Sequence, residues 1–166
     1  MHIDPYEKFW LWGSALIIVV FLVSIGATTF GAAIQPPSHV ETIDPTTVMS
    51  DARFTDAGVT INADGSATVR VVALMFGFIP GEIRVPRGVP VTFRITSPDV
   101  IHGFQIVMTN GNSMVVPGYV TQFTTRFDRA GEYLIVCNEY CGLGHHGMFA
   151  KMFVEDGVGA ATGGAE

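Results

Sequence analysis

The sequence predicts a mainly β protein in which a small β-sandwich or barrel follows one N-terminal transmembrane helix. One stretch near the N-terminus has no charged residue over 25 positions. Beyond about Val59, apolar and polar residues alternate with a period of two, as in strands that bury one face. Turn signals rich in glycine, proline and asparagine separate these runs at short intervals, a pattern typical of all-β domains.

These patterns divide the chain into five segments. They are an N-terminal segment (1–8), a transmembrane helix (9–33), a connector (34–57), a β domain (58–156) and a disordered tail (157–166). The composition is 48% hydrophobic and 14% charged, which is more apolar than is usual for a soluble domain. The net charge of −6 argues against nucleic-acid binding, because a phosphate backbone requires clustered Lys and Arg.

Residues 9–33 are long enough to cross a membrane once. At ~1.5 Å per residue such a helix spans about 37 Å, against a hydrocarbon core of about 30 Å. Trp10 and Trp12 lie at one end, where interfacial aromatic residues are common. The run exceeds the ~7–15 apolar residues of a secretory signal peptide. We therefore expect a retained, single-pass anchor rather than a cleaved signal.

The orientation of the anchor rests on Lys8, the only Lys or Arg before Arg53. The positive-inside rule then predicts a cytoplasmic N-terminus. The β domain is accordingly expected outside the cytoplasm.

The β domain is predicted to contain about seven short strands. In VTFRI (91–95) and FTTRF (123–127), apolar and polar side chains alternate strictly. The other runs are ATVRVVAL from Ala67, GFQIVMT from Gly103, NSMVVP from Asn112, EYLIV from Glu132 and MFAKMFV from Met148. Strands of this number and spacing indicate a sandwich or barrel.

The stretch VCNEYCGLGHHGM (136–148) holds both cysteines of the chain. In an oxidising compartment, a Cys137–Cys141 disulfide is one interpretation. The bond would close a loop of about five residues and constrain the unfolded chain by only about 2 kcal/mol. It leaves the neighbouring histidines and methionine unexplained. A disulfide-stapled binding module therefore stays open as the non-redox alternative.

A soft-metal site is the other interpretation of this stretch. Cys137, Cys141, His145 and Met148 form the pattern C-x3-C-x3-H-x2-M. Thiolates, imidazole and thioether favour copper over magnesium, calcium or manganese. A mononuclear blue-copper site uses one Cys and two His, so the second cysteine points instead to two bridged copper ions. His102, between two predicted strands, is the candidate second imidazole, because Greek-key topology brings such a loop beside a later one.

Together, VCNEYCGLGHHGM and the upstream TSPDVIHGF closely resemble subunit II of haem–copper cytochrome c oxidases, which carries the dinuclear CuA centre in a cupredoxin fold. The resemblance extends over the helix, the DPTTV connector (44–48) and the β domain. The single helix, NEYCGLGH and the FGF near Phe76 are similar to the B-family (ba-type) oxidases. A cupredoxin-like Greek-key domain in a prokaryotic cell membrane is therefore expected.

The resemblance implies a ligand set for two copper ions. The six residues are the bridging thiolates Cys137 and Cys141, one imidazole per ion from His102 and His145, a weak axial thioether from Met148 and the backbone carbonyl of Glu139. The family spacing C-x3-H favours His145 over His146.

The chain departs from the family pattern at two places. Known B-family members carry Gln at the position of Glu139, whereas in many A-type enzymes a carboxylate there also binds a magnesium ion shared with subunit I. The Glu139 side chain is thus either a magnesium ligand or a hydrogen-bonding group at the subunit interface. A-type subunits also have an exposed Trp where this chain reads LMFGFIPG. Phe76 and Phe78 are candidates for an apolar docking patch, with core packing as the alternative.

The implied function is electron acceptance from a c-type cytochrome at the copper pair. The electron then passes to haem in subunit I, where oxygen is reduced, so this chain needs no catalytic acid, base or nucleophile. A copper-free subunit II of a quinol oxidase is the structural alternative, and the intact ligand set argues against it. The copper domain of nitrous oxide reductase is another, although that domain is normally fused to a large catalytic domain.

Overall fold

The computed structural model describes residues 4–31 and 41–157, and within these ranges it contains one α-helix and two β-sheets. The helix is α1 (Pro5–Gly31). The strands are β1 (Glu41–Thr42), β2 (Gly58–Ile61), β3 (Ala67–Leu74), β4 (Gly77–Ile79), β5 (Glu82–Pro86), β6 (Pro90–Thr96), β7 (His102–Ile106), β8 (Asn112–Val115), β9 (Tyr119–Arg126), β10 (Gly131–Val136) and β11 (Phe149–Glu155). Apart from Gly157, the tail predicted for 157–166 lies outside the described residues.

Helix α1 confirms the predicted apolar helix and begins four residues earlier than expected. Asp4 explains the early start, because its carboxylate accepts a hydrogen bond of 2.9 Å from the backbone N–H of Tyr6 and so caps the first turn. Pro5 occupies the first helical position, where its fixed φ suits a helix start. Within Pro5–Ala27, an 18-residue window has a mean hydropathy of 2.3, and the stretch is long enough to span a bilayer. The prediction for residues 32–33 falls outside the described residues.

The strands form a cupredoxin-like two-sheet unit, which confirms the predicted mainly β fold. One sheet has the order β1-β9-β6-β3-β2, with β4 paired to β3, and the other has the order β5-β11-β10-β7-β8. Most pairs are antiparallel, but β3 pairs with β6, and β11 with β5, in parallel. All seven predicted runs contain a strand. The strands β1, β2, β4 and β5 are not among the seven predicted runs, and each has only two to five residues, a length at which a period is hard to recognise.

The core lies between the two sheets and is built from the alternating positions of their strands. Along β6, the side chains of Val91, Phe93 and Ile95 are fully buried. Phe93 packs against Phe104 of β7, with ring centroids 5.6 Å apart. This cluster continues into the loop after β10, whose buried side chains face the same core.

The segment before β2, where the sequence predicts a connector, packs onto the first sheet. Strand β1 pairs with β9, and a 3₁₀ helix follows at Pro45–Ser50. Ile43, Val48 and Phe54 are buried in a second apolar cluster. The sequence signal is weak, because these three residues follow neither the period of a strand nor that of a helix.

Candidate metal centre

Three loops meet beside the core and bring the predicted ligands together. They are the turn between β3 and β4, the loop from β6 to the start of β7, and the ligand loop (137–148) between β10 and β11. His102 is the first residue of β7, and Cys137 follows the last residue of β10. Because β7 and β10 are neighbouring antiparallel strands, the start of one lies next to the end of the other.

The two cysteines lie side by side and are not bonded. Their Sγ atoms are 3.8 Å apart, whereas a disulfide bond is ~2.05 Å long. The Nδ1 atom of His102 lies 4.0 Å from Cys137 Sγ. On the other side, the Nδ1 atom of His145 lies 3.7 Å from Cys141 Sγ. Each sulfur thus has one imidazole nitrogen beside it.

Two further donor atoms complete the cluster. The Sδ atom of Met148 lies 3.7 Å from Cys141 Sγ. The backbone carbonyl of Glu139 accepts a hydrogen bond of 3.1 Å from the Cys137 thiol. All six residues expected as ligands therefore contribute an atom to one small cluster, which the spacing pattern alone did not establish.

The cluster is largely shielded from water. His102 is completely buried, and the exposed fractions of Cys137, Cys141 and Met148 are 6%, 5% and 2%. His145 is half-buried. The sulfur ligands belong to the main apolar core, so their positions are fixed by packing rather than by a mobile surface loop.

Asp99 holds the His102 ring from the side opposite Cys137. Its Oδ1 atom lies 2.8 Å from His102 Nε2. With this carboxylate as acceptor, Nε2 carries the proton and the lone pair of Nδ1 points to the cysteine side. Burial raises the pKa of Asp99, but hydrogen bonds from His102, Ser97 and two backbone N–H groups outweigh it, so the pKa is lowered overall. Asp99 is therefore a carboxylate at neutral pH.

The thiol of Cys141 retains its proton at neutral pH when no metal is bound. Burial, reinforced by the neighbouring Cys137, raises its pKa to about 11. A metal that binds here must displace this proton, as metals do at thiolate sites.

Gly103 allows the ligand loop to approach β7 closely. A Cβ atom at this position would lie 1.9 Å from Asn138 Oδ1 and 2.8 Å from the backbone nitrogens of Asn138 and Glu139. Two of these three atoms belong to the backbone and cannot rotate away. The absence of a side chain next to His102 therefore brings that ligand within reach of Cys137.

The aromatic pair Phe76 and Phe78 has two different environments. Phe78 is 5% exposed, and its ring packs edge-on against Phe104 at 5.6 Å between centroids. Phe78 is a core residue, and the proposed docking role is wrong for it, since a buried ring offers no surface. Phe76 is 41% exposed and lies next to Gly142 and Gly144 of the ligand loop.

The remaining predicted residues are exposed. Glu139 is exposed and lines an open groove together with Asn112, Ser113, Met114 and Asn138. His146 is exposed, in contrast to its half-buried neighbour His145.

The donor set suits a soft metal. The ligand atoms of His102, Cys137 and Cys141 all lie within 4.8 Å of one another. Donors at ~2.0–2.3 Å from a shared ion lie up to about 4.5 Å apart, so small movements would let these atoms share metal ions. Thiolates, imidazoles and a thioether favour copper among the biological metals.

Sequence reasoning missed Asp99 and Gly103. A carboxylate three residues before a candidate histidine ligand is a usable signal, because metal-binding histidines commonly donate their second N–H to a carboxylate. The role of Gly103 has no signal of this kind, since it depends on a loop that lies 35 residues later.

Comparison with known proteins adds an independent view of the chain. Residues 68–155 match the family model for the periplasmic domain of cytochrome c oxidase subunit II. A cytochrome c oxidase subunit 2 of Thermus thermophilus is 43% identical over 155 residues, covering 91% of this chain and 92% of the relative. A second Thermus thermophilus sequence with this name is 44% identical over 130 residues, covering 77% and 96%.

Solved structures agree with the fold. A chain of a heme-copper terminal oxidase dimer, determined by cryo-electron microscopy, matches 91% of this chain and 100% of its own length, with a TM-score of 0.69 and 31% identity. The periplasmic domain of a subunit II from Bradyrhizobium japonicum matches 54% of this chain and 83% of its own length, with a TM-score of 0.50 and 17% identity. The second likeness concerns the fold alone.

Proposed function

Since the chain belongs to the cytochrome c oxidase subunit II family, we propose that its β domain binds two copper ions and accepts single electrons from a c-type cytochrome. The observation that carries this proposal is the convergence of two thiols and two imidazole nitrogens in one shielded cluster. As a subunit II, the chain is part of an oxidase complex and a partner of subunit I. The reduction of oxygen takes place in that partner.

Each residue of the cluster has one role in this proposal. Cys137 and Cys141 would hold both ions through their thiolates, while His102 and His145 would each hold one of them. Met148 and the Glu139 carbonyl would serve as weak ligands. Copper supplies reversible one-electron chemistry at such a site.

The protein contributes a rigid cage with little water. Packing in the core holds the sulfur atoms of Cys137, Cys141 and Met148, and Asp99 fixes the ring of His102. A cage whose donors are held by packing and hydrogen bonds changes little when an electron arrives, because donors fixed in advance need no reorganisation. This rigidity favours fast electron transfer in both directions.

We propose that the donor cytochrome docks on an apolar rim around the cluster. The rim consists of five exposed side chains, Met75 (47%), Phe76 (41%), Ile101 (45%), Tyr140 (74%) and Leu143 (91%). Phe76 lies against the ligand loop, and the ring of Tyr140 is 5.8 Å from that of His145. A partner seated on this rim would therefore come close to the copper ligands.

The anchored chain is expected in the cell membrane of a prokaryote. Helix α1 has the length and hydropathy for a single crossing. Lys8 supports a cytoplasmic N-terminus by the positive-inside rule. The copper domain would then lie outside the cytoplasm, where a c-type cytochrome can reach it.

Copper analysis of the full-length chain in detergent tests the proposed centre. We expect two copper ions per chain and an electron paramagnetic resonance spectrum with hyperfine structure spread over two equivalent nuclei. The Cys141→Ser variant serves as a control, because loss of one bridge should abolish the shared-electron spectrum. Failure of the reduced chain to take up copper would favour a copper-free subunit. Formation of a Cys137–Cys141 disulfide in place of copper binding would favour the stapled binding module.

We also propose that the Glu139 carboxylate binds magnesium shared with subunit I. Carboxylate oxygen is a ligand that Mg²⁺ prefers, and the side chain is exposed and free to meet a partner. Manganese loaded into the whole oxidase should give a signal that Glu139→Gln abolishes while both coppers remain. Glu132→Gln, on the exposed part of β10, is the control. A manganese signal that survives Glu139→Gln would assign the carboxylate to hydrogen bonding alone.

A further inference from the structure

The ring of Phe76 fills the space beside two glycines of the ligand loop. A Cβ atom at Gly144 would lie 2.4 Å from Phe76 Cδ2, and one at Gly142 would lie 2.9 Å from Phe76 Cε1. Both glycines lie between Cys141 and His145. The ring therefore covers the short segment that joins a thiol ligand to an imidazole ligand.

The residue before Phe76 is tied to the other imidazole ligand. The backbone N–H of Met75 donates a hydrogen bond of 2.8 Å to Asp99 Oδ2. The other carboxylate oxygen, Oδ1, lies 2.8 Å from His102 Nε2. One carboxylate thus links the β3–β4 turn to His102.

Two adjacent residues of one turn accordingly reach both histidine-bearing segments. These segments belong to different parts of the chain, the start of β7 and the loop after β10. We propose that the Met75–Phe76 turn is a positioning element that fixes the Cys141–His145 segment relative to His102. This inference rests on the proposed copper function and concerns what keeps the cage rigid.

The ligand loop needs such a support because its own backbone is permissive. Gly142 has a φ of 132°, a conformation open mainly to glycine, and Leu143 beside it is 91% exposed. Between Cys141 and His145, this segment has no buried side chain of its own. The Phe76 ring supplies the packing that the glycines and the exposed leucine lack.

The substitution Phe76→Leu tests the role of the ring in the full-length chain in detergent. Removing a group that supports metal ligands typically weakens metal binding 10–100-fold, so we expect copper affinity, measured by competition with a chelator, to fall about tenfold. The separate variant Phe76→Tyr keeps the ring and should retain the copper affinity of the wild type. Phe153→Leu is the control, because that ring lies on β11 below the guanidinium of Arg84, 4.5 Å from its centroid.

A second variant approaches the same contact from the loop side. Gly144→Ala places a methyl group against the Phe76 ring and should also lower copper affinity. Gly147→Ala is its matched control, because a Cβ atom there meets nothing within 4 Å. Comparing the two alanine variants separates the contact with the ring from a general loss of loop freedom.

A measurement without metal shows whether the turn reaches His102. In the ¹⁵N-histidine-labelled, metal-free chain, Phe76→Leu should shift the ring ¹⁵N resonances of His102 through Asp99, and Phe153→Leu should not. The inference is wrong if the wild type binds two coppers while Phe76→Leu and Gly144→Ala match their controls in both measurements. A wild type that binds no copper would instead overturn the proposed function itself.

Discussion

Gly103 determines how closely two ligand-bearing segments approach each other. Its backbone lies against Asn138 and Glu139, between the two cysteines, with no space for a methyl group. His102 precedes it directly. The absence of a side chain at this position therefore lets an imidazole ligand and a thiol ligand lie close together.

The substitution Gly103→Ala should displace the ligand loop from β7. Overpacking of this kind costs about 1–3 kcal/mol, and we expect copper affinity to fall tenfold or more because His102 and Cys137 move apart. Thermal unfolding and competition with a chelator measure the two effects. Gly81→Ala is the control, since its nearest contact is an ordinary 3.8 Å. Equal copper affinity in the two variants would contradict this account of Gly103.

Met148 is expected to tune the copper pair rather than to hold it. Its Sδ atom lies 3.7 Å from Cys141 Sγ, and the side chain is 2% exposed. Met148→Leu conserves volume and should cost less than about 1.5 kcal/mol of stability. Two coppers should remain bound while the reduction potential rises, because an axial donor stabilises the oxidised ions more than the reduced ones. Loss of copper would show that the thioether is a strong ligand.

Strand β1 pairs with β9 through only two residues, and charged side chains provide further contacts. Glu41 of β1 accepts hydrogen bonds from Arg53 at 2.7 Å and from Arg94 at 2.5 Å. Arg53 also pairs with Asp51 at 2.7 Å. The side chains of Glu41 and Arg94 are 20% and 23% exposed, so solvent screens this network less than it screens a surface pair.

These ion pairs should make the stability of the β domain fall in acid. Burial raises the pKa of Glu41, but hydrogen bonds from Arg94 and Arg53 outweigh it and lower the pKa below 4.5. Hydrogen bonds from Arg53 lower the pKa of Asp51 to about 2. Groups with lowered pKa stabilise the folded state fully above their unfolded pKa and lose this contribution as pH falls. The loss is expected below about pH 4.5 and extends to about pH 2.

Glu41→Gln should reduce this acid sensitivity and also weaken the domain at pH 7. Hydrogen bonds to charged groups contribute about 1.5–3 kcal/mol, so we expect the melting temperature at pH 7 to fall by several degrees. The exposed pair of Glu82 with Arg84 provides the control, because Glu82→Gln should change the melting temperature little. Identical melting curves for both variants between pH 7 and pH 3 would contradict a role for the network.

Strand β6 shows how much of a strand an alternating sequence predicts. Strand β6 buries Val91, Phe93 and Ile95 in strict alternation, so both its existence and its inner face follow from the sequence. The 3₁₀ helix at Pro45–Ser50 contributes a single buried side chain, Val48. Its packing arises from contacts with distant strands, which no local pattern encodes.

The ligands were more predictable than the residues that support them. Cys137, Cys141 and His145 are recognisable because soft donors at short spacing are rare. Asp99 and Phe76 act through contacts made only after three loops have met. The sequence therefore predicts the chemistry of the centre, whereas its rigidity depends on the tertiary fold.

The distribution of charge over the whole molecule favours an apolar docking mode. The chain carries a net charge of −6, but the ligand loop contains one carboxylate, Glu139, and Asp99 of the neighbouring loop is bound to His102. The rim side chains are apolar or aromatic. A surface of this kind offers little electrostatic steering, which requires clustered charge of one sign.

The rate of electron transfer from a reduced c-type cytochrome should accordingly change little with salt. Steered association falls steeply as ionic strength rises, whereas we expect a change of less than about threefold between ~10 mM and ~200 mM salt. Leu143→Asp should lower the rate and introduce a salt dependence, because it places a charge on the most exposed residue of the rim. Met108→Asp is the matched control, since Met108 is 94% exposed in the β7–β8 turn. Copper content should be the same in both variants, which leaves docking as the step that differs. A wild-type rate that falls tenfold with salt would place the cytochrome on a charged surface instead of the rim.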